Sequence, residues 1–247
     1  MRTISQYHRP PTIDEALALL SRTGVTTRPI GGGTSLVGEE ILIDIEVVDL
    51  QMACSDSITE NGEAVEIGAM ARLQDLVDSS LVPPLLRELA LREGPNTLRN
   101  AATLGGTIAS ADPESELLAG LLVHEARIAI SGRGGTSVVP LPGLLADRSL
   151  LSNAIIVSIS VGRGGTTATA RTGRTPADTS IVAAVGRSTP GGSLLAVTGI
   201  ASTPILVTPP EIDSLNPPSD FRGSSEYRKG LAQTLSARVL SELGGAA

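Results

Sequence analysis

Two glycine-rich stretches bring together the residue types that can hold an anion. The first is Arg28-Pro29-Ile30-Gly31-Gly32-Gly33-Thr34-Ser35-Leu36. Consecutive glycines let the backbone take φ > 0 and approach a ligand closely, and their N–H groups with the Thr34 and Ser35 hydroxyls make an anion nest. The second runs from Gly94 to His124 and centres on Thr103-Leu104-Gly105-Gly106-Thr107. It is expected as a loop of the same kind, followed by an apolar helix that Asp112 caps and Pro113 opens. Neither stretch is a dinucleotide fingerprint, because Leu36 stands where the third glycine of G-x-G-x-x-G belongs, and no Lys-Ser/Thr pair marks a Walker loop. A diphosphate gripped from two sides is the chemistry such a pair suits. Two chain-reversing turns with no ligand are the plainer alternative.

Side-chain catalysis has little material to draw on. The histidines are His8 and His124, the only cysteine is Cys54, and no Ser-His-Asp or Cys-His arrangement can be assembled from them. His124 ends an apolar helix and reads as structural, and Cys54 as a buried thiol. One cysteine excludes an internal disulfide and a Cys-ligated cluster or zinc site within this chain. It also fits a reducing compartment, so a cytoplasmic protein is expected. A net charge of −7 argues against nucleic acid as a partner. Tyr7, Phe221 and Tyr227 are the only aromatics, so the core is expected to be aliphatic. No run approaches the roughly eighteen apolar residues of a membrane span, and Met1 to Pro11 lacks the apolar core of a secretory leader.

Elements must position these loops. Thr12 with Glu15 reads as a capping box opening a helix whose apolar face is Ala16, Leu17 and Leu20, with Gly24 ending it. Strands are expected at 25–30 and 41–45, the first delivering the triple glycine. Ser55 to Asn61 reads as a loop or hairpin, then a strand at 64–67, helices at 73–80 and 84–92, and strands at 126–130, 137–139 and 154–161. The similar runs Ser131-Gly132-Arg133-Gly134-Gly135-Thr136 and Val161-Gly162-Arg163-Gly164-Gly165-Thr166 are expected as hairpin turns. Further strands are expected at 181–185 and 193–200, then a Pro-rich connection at 202–218. A last helix from Ser224 or Ser225 would carry Tyr227, Leu231, Leu235 and Val239 on one stripe.

The segments IGGGTSL (30–36), ILIDI (41–45), IGAMARLQDL (67–76), LRNAATLGGTIASADPESELLAGLL (98–122) and SEYRKGLAQTL (225–235), in this order, give a specific match. The chain resembles the FAD-binding subunit of molybdenum hydroxylases, a group that includes the carbon monoxide dehydrogenase medium subunit and the flavin domain of xanthine dehydrogenase. The resemblance implies an α+β, PCMH-type (vanillyl-alcohol-oxidase-like) FAD-binding fold. Two α/β subdomains, 1–52 and 53–163, are expected to be followed by a C-terminal α+β subdomain, 164–247.

The resemblance also implies FAD as cofactor. Its diphosphate would be contacted by Gly31, Gly32, Gly33, Thr34, Ser35, Leu36, Thr103, Gly106 and Thr107. Glu116 would reach the ribose or adenine side, and Arg171, or in its place Arg174, would approach the flavin ring. The family often has Asn at the position of Thr107 and more commonly Asp at that of Glu116. Its run after the first glycines is usually longer than Leu36-Val37-Gly38-Glu39-Glu40. The implied role is an electron relay without a catalytic side chain. Electrons would pass from the clusters of an iron–sulfur small subunit, served by a large subunit with molybdenum cofactor, through FAD to an external acceptor. A stand-alone FAD-dependent oxidoreductase is the alternative.

Overall fold

The computed structural model describes residues 4–36, 44–175 and 178–245. The expectations on residues 37–43, namely the short run after Leu36 and most of the strand at 41–45, lie outside these.

A small α/β unit comes first. Strand β1 (Ile4–His8) leads to helix α1 (Ile13–Leu20), then β2 (Thr27–Ile30) and β3 (Ile45–Asp49). The Thr12 hydroxyl accepts from the Glu15 N–H, and Ala16, Leu17 and Leu20 are the buried face of α1. The three strands form a parallel sheet in the order β1-β3-β2. Central β3 is buried throughout although it carries two acids. Glu46 is bonded by His8 and Arg22, and Asp49 by Tyr7 and Arg9. Hydrogen bonding from His8 first, then Arg22, holds the Glu46 carboxyl below its ordinary pKa. The described strand therefore begins where the expected one ends, and β1 is an addition.

The middle of the chain contributes β4 (Ile58–Asn61), β5 (Ala64–Gly68), α2 (Leu73–Asp78), α3 (Pro84–Arg92), α4 (Asn96–Arg99), α5 (Leu104–Ser110) and α6 (Glu116–Val123). Then come β6 (Arg127–Gly132), β7 (Gly135–Pro140), α7 (Leu141–Ala146), a 3-10 turn (Arg148–Leu151) and β8 (Ile155–Gly162). An antiparallel sheet of order β4-β5-β8-β6-β7 backs the helices. The eight residues of α6 are all buried, which suits a helix apolar all round. It lies between α3 on one side and the last sheet on the other.

That last sheet is antiparallel, in the order β12-β11-β10-β9, built from β9 (Thr166–Thr172), β10 (Val182–Thr189), β11 (Gly192–Val197) and β12 (Ile205–Leu206). Helix α8 (Pro209–Ser214) and the long α9 (Ser225–Gly245) follow, α9 packing on β9 and β10. Its buried stripe includes Arg228, Ala232, Leu235, Val239 and Leu243, while Tyr227 is largely exposed, so the expected stripe is corrected at its start. The run at 131–136 is a hairpin turn joining β6 to β7. The run at 161–166 is not: it carries the chain from one sheet to another, because β8 and β9 belong to different sheets. Among the described residues no helix is long and apolar enough to cross a membrane.

Candidate functional site

The triple glycine leaves β2 as a sharp turn. Gly33 sits at φ 72°, the left-handed region that glycine alone enters without strain, and the Leu36 N–H donates to the Gly33 carbonyl (3.2 Å). Among the described residues the N–H groups of Gly31, Gly32, Gly33, Thr34 and Ser35 meet no acceptor in the protein. This is a run of available donors.

The second stretch is not a loop. Thr103 caps α5, its hydroxyl accepting from the Gly106 N–H (3.2 Å), so Gly105 and Gly106 lie in the first turn of a helix. The N–H groups of Leu104 and Gly105 donate to the carbonyls of Ala71 and Ala69 (both 2.9 Å), and the Thr107 hydroxyl donates to the Thr103 carbonyl (3.2 Å). What this end of α5 can offer a ligand therefore narrows to the Thr103 hydroxyl and the weakly engaged Gly106 N–H.

The two stretches touch. A Cβ on Gly31 would stand 2.3 Å from Thr103 Oγ1, and one on Gly32 would stand 1.6 Å from the Ala101 carbonyl oxygen. Only glycine permits this approach, and it turns both stretches toward the same space. That space holds two adjoining cavities, of about 320 and 290 Å³. The first is lined by the whole run Gly31 to Leu36 with Thr103, Gly106 and Ser110, whose backbone and hydroxyls share the wall with Arg28, Pro29, Ile30 and Ala109. The second has largely apolar walls, among them Leu50, Met70, Leu151 and Ile155. Gly31, Thr103 and Gly106 border both. A long ligand with one anionic part and one flat apolar part suits such a pair. FAD has that form, and the close-packed glycines with their unengaged N–H groups suit its diphosphate.

Glu116 and Arg171 line neither cavity; they meet each other. Glu116, buried at the start of α6, receives Arg171 Nε on one oxygen (2.8 Å) and Arg92 on the other (3.0 Å). Arg174 lies over the exposed Phe221 ring, 5.4 Å from its centroid. Arg99 braces the turn ahead of α5, donating to Gln74 Oε1 (2.9 Å) and to the Gly94 carbonyl (2.5 Å). Burial pushes the His124 pKa down to about 4, so the ring is neutral and its Nδ1 donates to the Gly162 carbonyl (2.8 Å). Burial pushes the Cys54 thiol up to about 11, which keeps it unreactive.

The expected start of the helix after Asp112 is corrected. Asp112 instead closes a turn by accepting from the Glu114 N–H (2.8 Å), and Ser115 caps α6. The cause is Glu93, whose carboxylate accepts from the Ser115 hydroxyl (2.8 Å) and from the Leu117 N–H (2.9 Å), fixing where the helix begins. Burial chiefly, with Asp112 and Glu116 adding to it, pushes the Glu93 carboxyl up to about 7 from an ordinary 4.5. The folded form thus holds this proton more tightly than the unfolded chain. Its contribution to stability is fully present below about pH 4.5 and is lost as pH rises through about 7. Replacing Glu93 by Gln, which keeps an acceptor for Leu117, should remove this dependence. Urea unfolding at pH 5 and pH 8 should show the variant gaining about 2 kcal/mol on the wild type between the two; parallel curves would refute the assignment.

Sequence reasoning missed Arg148 and the apolar wall. Arg148 follows Asp147, whose carboxylate caps the 3-10 turn by accepting from the Ser149 N–H (3.0 Å), and no spacing in the sequence links this turn to α5.

Comparison with known proteins agrees with this geometry. Residues 3–163 match the model of the FAD binding domain in molybdopterin dehydrogenase. The chain is 30% identical to the uncharacterized protein YgfM of Escherichia coli K12, over 97% of this chain and 96% of that one. It is 33% identical to the carbon monoxide dehydrogenase medium chain of Hydrogenophaga pseudoflava, over 63% of this chain and 58% of that one. Its fold superposes with a TM-score of 0.88, at 26% identity and 99% coverage of both chains, on a structure of carbon monoxide dehydrogenase from the same organism that lacks the Mo-pyranopterin moiety of its molybdenum cofactor. The paired glycine stretches, the cavities they share and these matches agree: the chain belongs to the FAD-binding domains of the molybdopterin dehydrogenases, an oxidoreductase family, and FAD is its cofactor.

Proposed function

We propose that this chain is the electron-relay subunit of a molybdenum hydroxylase, and that FAD lies across the two adjoining cavities. The observation carrying this reading is that both glycine stretches border the same space, one with a run of unengaged N–H groups. Gly31 to Ser35 would donate to the diphosphate through their N–H groups, with the Thr34 and Ser35 hydroxyls beside them and Leu36 closing the turn. Thr103 would add its hydroxyl and Gly106 its N–H. Each such charge-assisted bond contributes roughly 1.5–3 kcal/mol, so a few hold the cofactor without a lysine clamp. Thr107 would serve through α5, whose first turn its hydroxyl fastens. Glu116 and Arg171 would act as one ion-paired unit toward the adenine side. FAD supplies the ability to take electrons from one carrier and deliver them to another. The chain's own part is to bind and orient the ring and to shield it with the aliphatic wall.

The partners in this reading are a large subunit with molybdenum cofactor and an iron–sulfur small subunit, which together deliver electrons that leave for an external acceptor. The relatives that carry the name of a medium chain support it. A cytoplasmic site of action and the division into subdomains at 1–52, 53–163 and 164–247 belong to the same reading. The one cysteine, which is buried, supports the first, and the three separate sheets support the second.

Purified protein should show the absorbance of oxidised flavin, or take up added FAD. A colourless preparation that takes up none contradicts the reading. Large and small subunits recovered with a tagged copy support the relay, whereas a lone flavoprotein that oxidises a small molecule contradicts it.

A further inference from the structure

We propose that Arg148 is the cation that sets the redox balance of the flavin ring. The inference rests on the reading that FAD occupies the paired cavities. Arg148 lines the cavity walled by Leu50, Met70, Leu151 and Ile155 and not the one that the triple glycine borders throughout, so it faces the space left for the ring once the diphosphate lies on the glycine turn. Its guanidinium is held from behind: Nη1 donates to the Ile108 carbonyl (3.2 Å) and Nη2 to the Ala109 carbonyl, at the last turn of α5. These two bonds use a minority of its five N–H donors.

Its charge is uncompensated. Among the described residues Arg148 has no carboxylate partner, whereas Arg92, Arg171, Arg187, Arg222 and Arg228 are all ion-paired. Partial burial lowers its pKa, the direction expected for a half-buried cation with no counter-charge beside it. The side chain stays protonated in any case, because guanidinium is too basic to lose its proton here. A fixed positive charge at the cavity wall favours whichever state of the ligand carries more negative charge.

The ring of FAD is such a ligand. When it takes up two electrons and one proton it gains one net negative charge, the electrons coming in the test below from dithionite through a viologen mediator. Arg148 therefore favours the reduced form and raises the potential. The resemblance gave this place to Arg171, but Glu116 neutralises that side chain and it lines neither cavity.

The experiment compares the FAD-loaded wild-type protein with Arg148→Met and Arg148→Lys, measuring oxidised-FAD affinity by titration and midpoint potential by spectroelectrochemistry. Arg148→Met should bind oxidised FAD within a few-fold of the wild type. Its preference for the reduced form should fall about tenfold, equivalent to about 30 mV for a two-electron couple. Arg148→Lys, which keeps the charge, should recover most of that difference. Should Arg148→Met fail to fold, Arg148→Gln gives the same comparison, retaining a donor for the α5 carbonyls without the charge. An unchanged potential in the neutral variants overturns the proposal, as does loss of oxidised-FAD binding in both Met and Lys variants, which would make Arg148 a holder of the cavity only. A wild-type protein that binds no FAD fails at the earlier step and overturns the reading beneath it.

Discussion

Replacing Gly32 by Ala should weaken FAD binding about a hundredfold and lower stability by about 2–4 kcal/mol. The new Cβ would sit 1.6 Å from the Ala101 oxygen, 2.4 Å from its carbonyl carbon and 3.1 Å from the Ala102 nitrogen. These are backbone atoms, and they are pinned. The N–H groups of Ala101 and Ala102 both donate to the Leu98 carbonyl (3.0 and 2.7 Å), and the Ala102 carbonyl accepts from Leu73 (3.0 Å). Relief must come from the other side, by lifting the turn at 31–36 away from α5. That motion separates the donors that face one cavity. Losing two charge-assisted bonds accounts for the hundredfold loss, since every 1.4 kcal/mol is a factor of ten. Gly134→Ala is the control, because a Cβ there meets nothing within 4 Å. Titration of FAD into both variants, with urea unfolding alongside, checks the expectation. Wild-type affinity in Gly32→Ala would remove the paired-stretch account.

Arg187→Met should cost about 3–5 kcal/mol. This side chain in β10 is buried, and it fastens the last sheet to the middle of the chain. Its Nε donates to the Gly164 carbonyl (3.0 Å), Nη2 to the Arg163 carbonyl (2.9 Å) and Nη1 to the Val123 carbonyl at the end of α6 (3.2 Å). The exposed Glu125 is a lesser partner at 3.3 Å. A buried ion pair can often be exchanged for an apolar pair at no loss, but here the partners are main-chain carbonyls that no substitution removes. Methionine fills the volume and leaves them unpaired. Arg187→Lys should recover only part, since one ammonium cannot match a planar fork on three carbonyls. Urea midpoints measure the series. A Met variant within 1 kcal/mol of the wild type would show that these bonds contribute little.

Much of the architecture was legible because local signals agreed with the fold. Thr12 ahead of an apolar face announced α1, and branched runs announced β5, β6 and β8. The triple glycine was legible as a sharp turn with N–H groups to spare because few other local structures need three glycines in a row. Helix α5 was not, since two glycines in a first turn each oppose a helix by about 1 kcal/mol. Tertiary contacts outweigh that here: Leu104 and Ile108 are fully buried, and the Ala69 and Ala71 carbonyls take the first N–H groups. Strand β1 escaped notice because Ile4 to Tyr7 are all exposed, so no alternation marks it. Pairing along β3, with Tyr7 on Asp49 and His8 on Glu46, is what makes it a strand.

The site was half legible for a related reason. Its backbone parts are written locally, as glycines and hydroxyls in short runs. Its charged parts are not, because Glu116 meets Arg171 across 55 positions of sequence and Arg148 meets α5 across some forty. Likeness to a family singled out Glu116 and Arg171 as expected cofactor contacts. It did not reveal that each is the other's partner.

A crystal structure of the protein grown with FAD is the most direct test of the central claim. The diphosphate should lie within hydrogen-bonding distance of the Gly31 to Ser35 N–H groups, with Thr103 and Gly106 on its other flank and the ring against Leu151 and Arg148. Density for FAD on another surface, or side chains closing the space between the two glycine stretches, would contradict it.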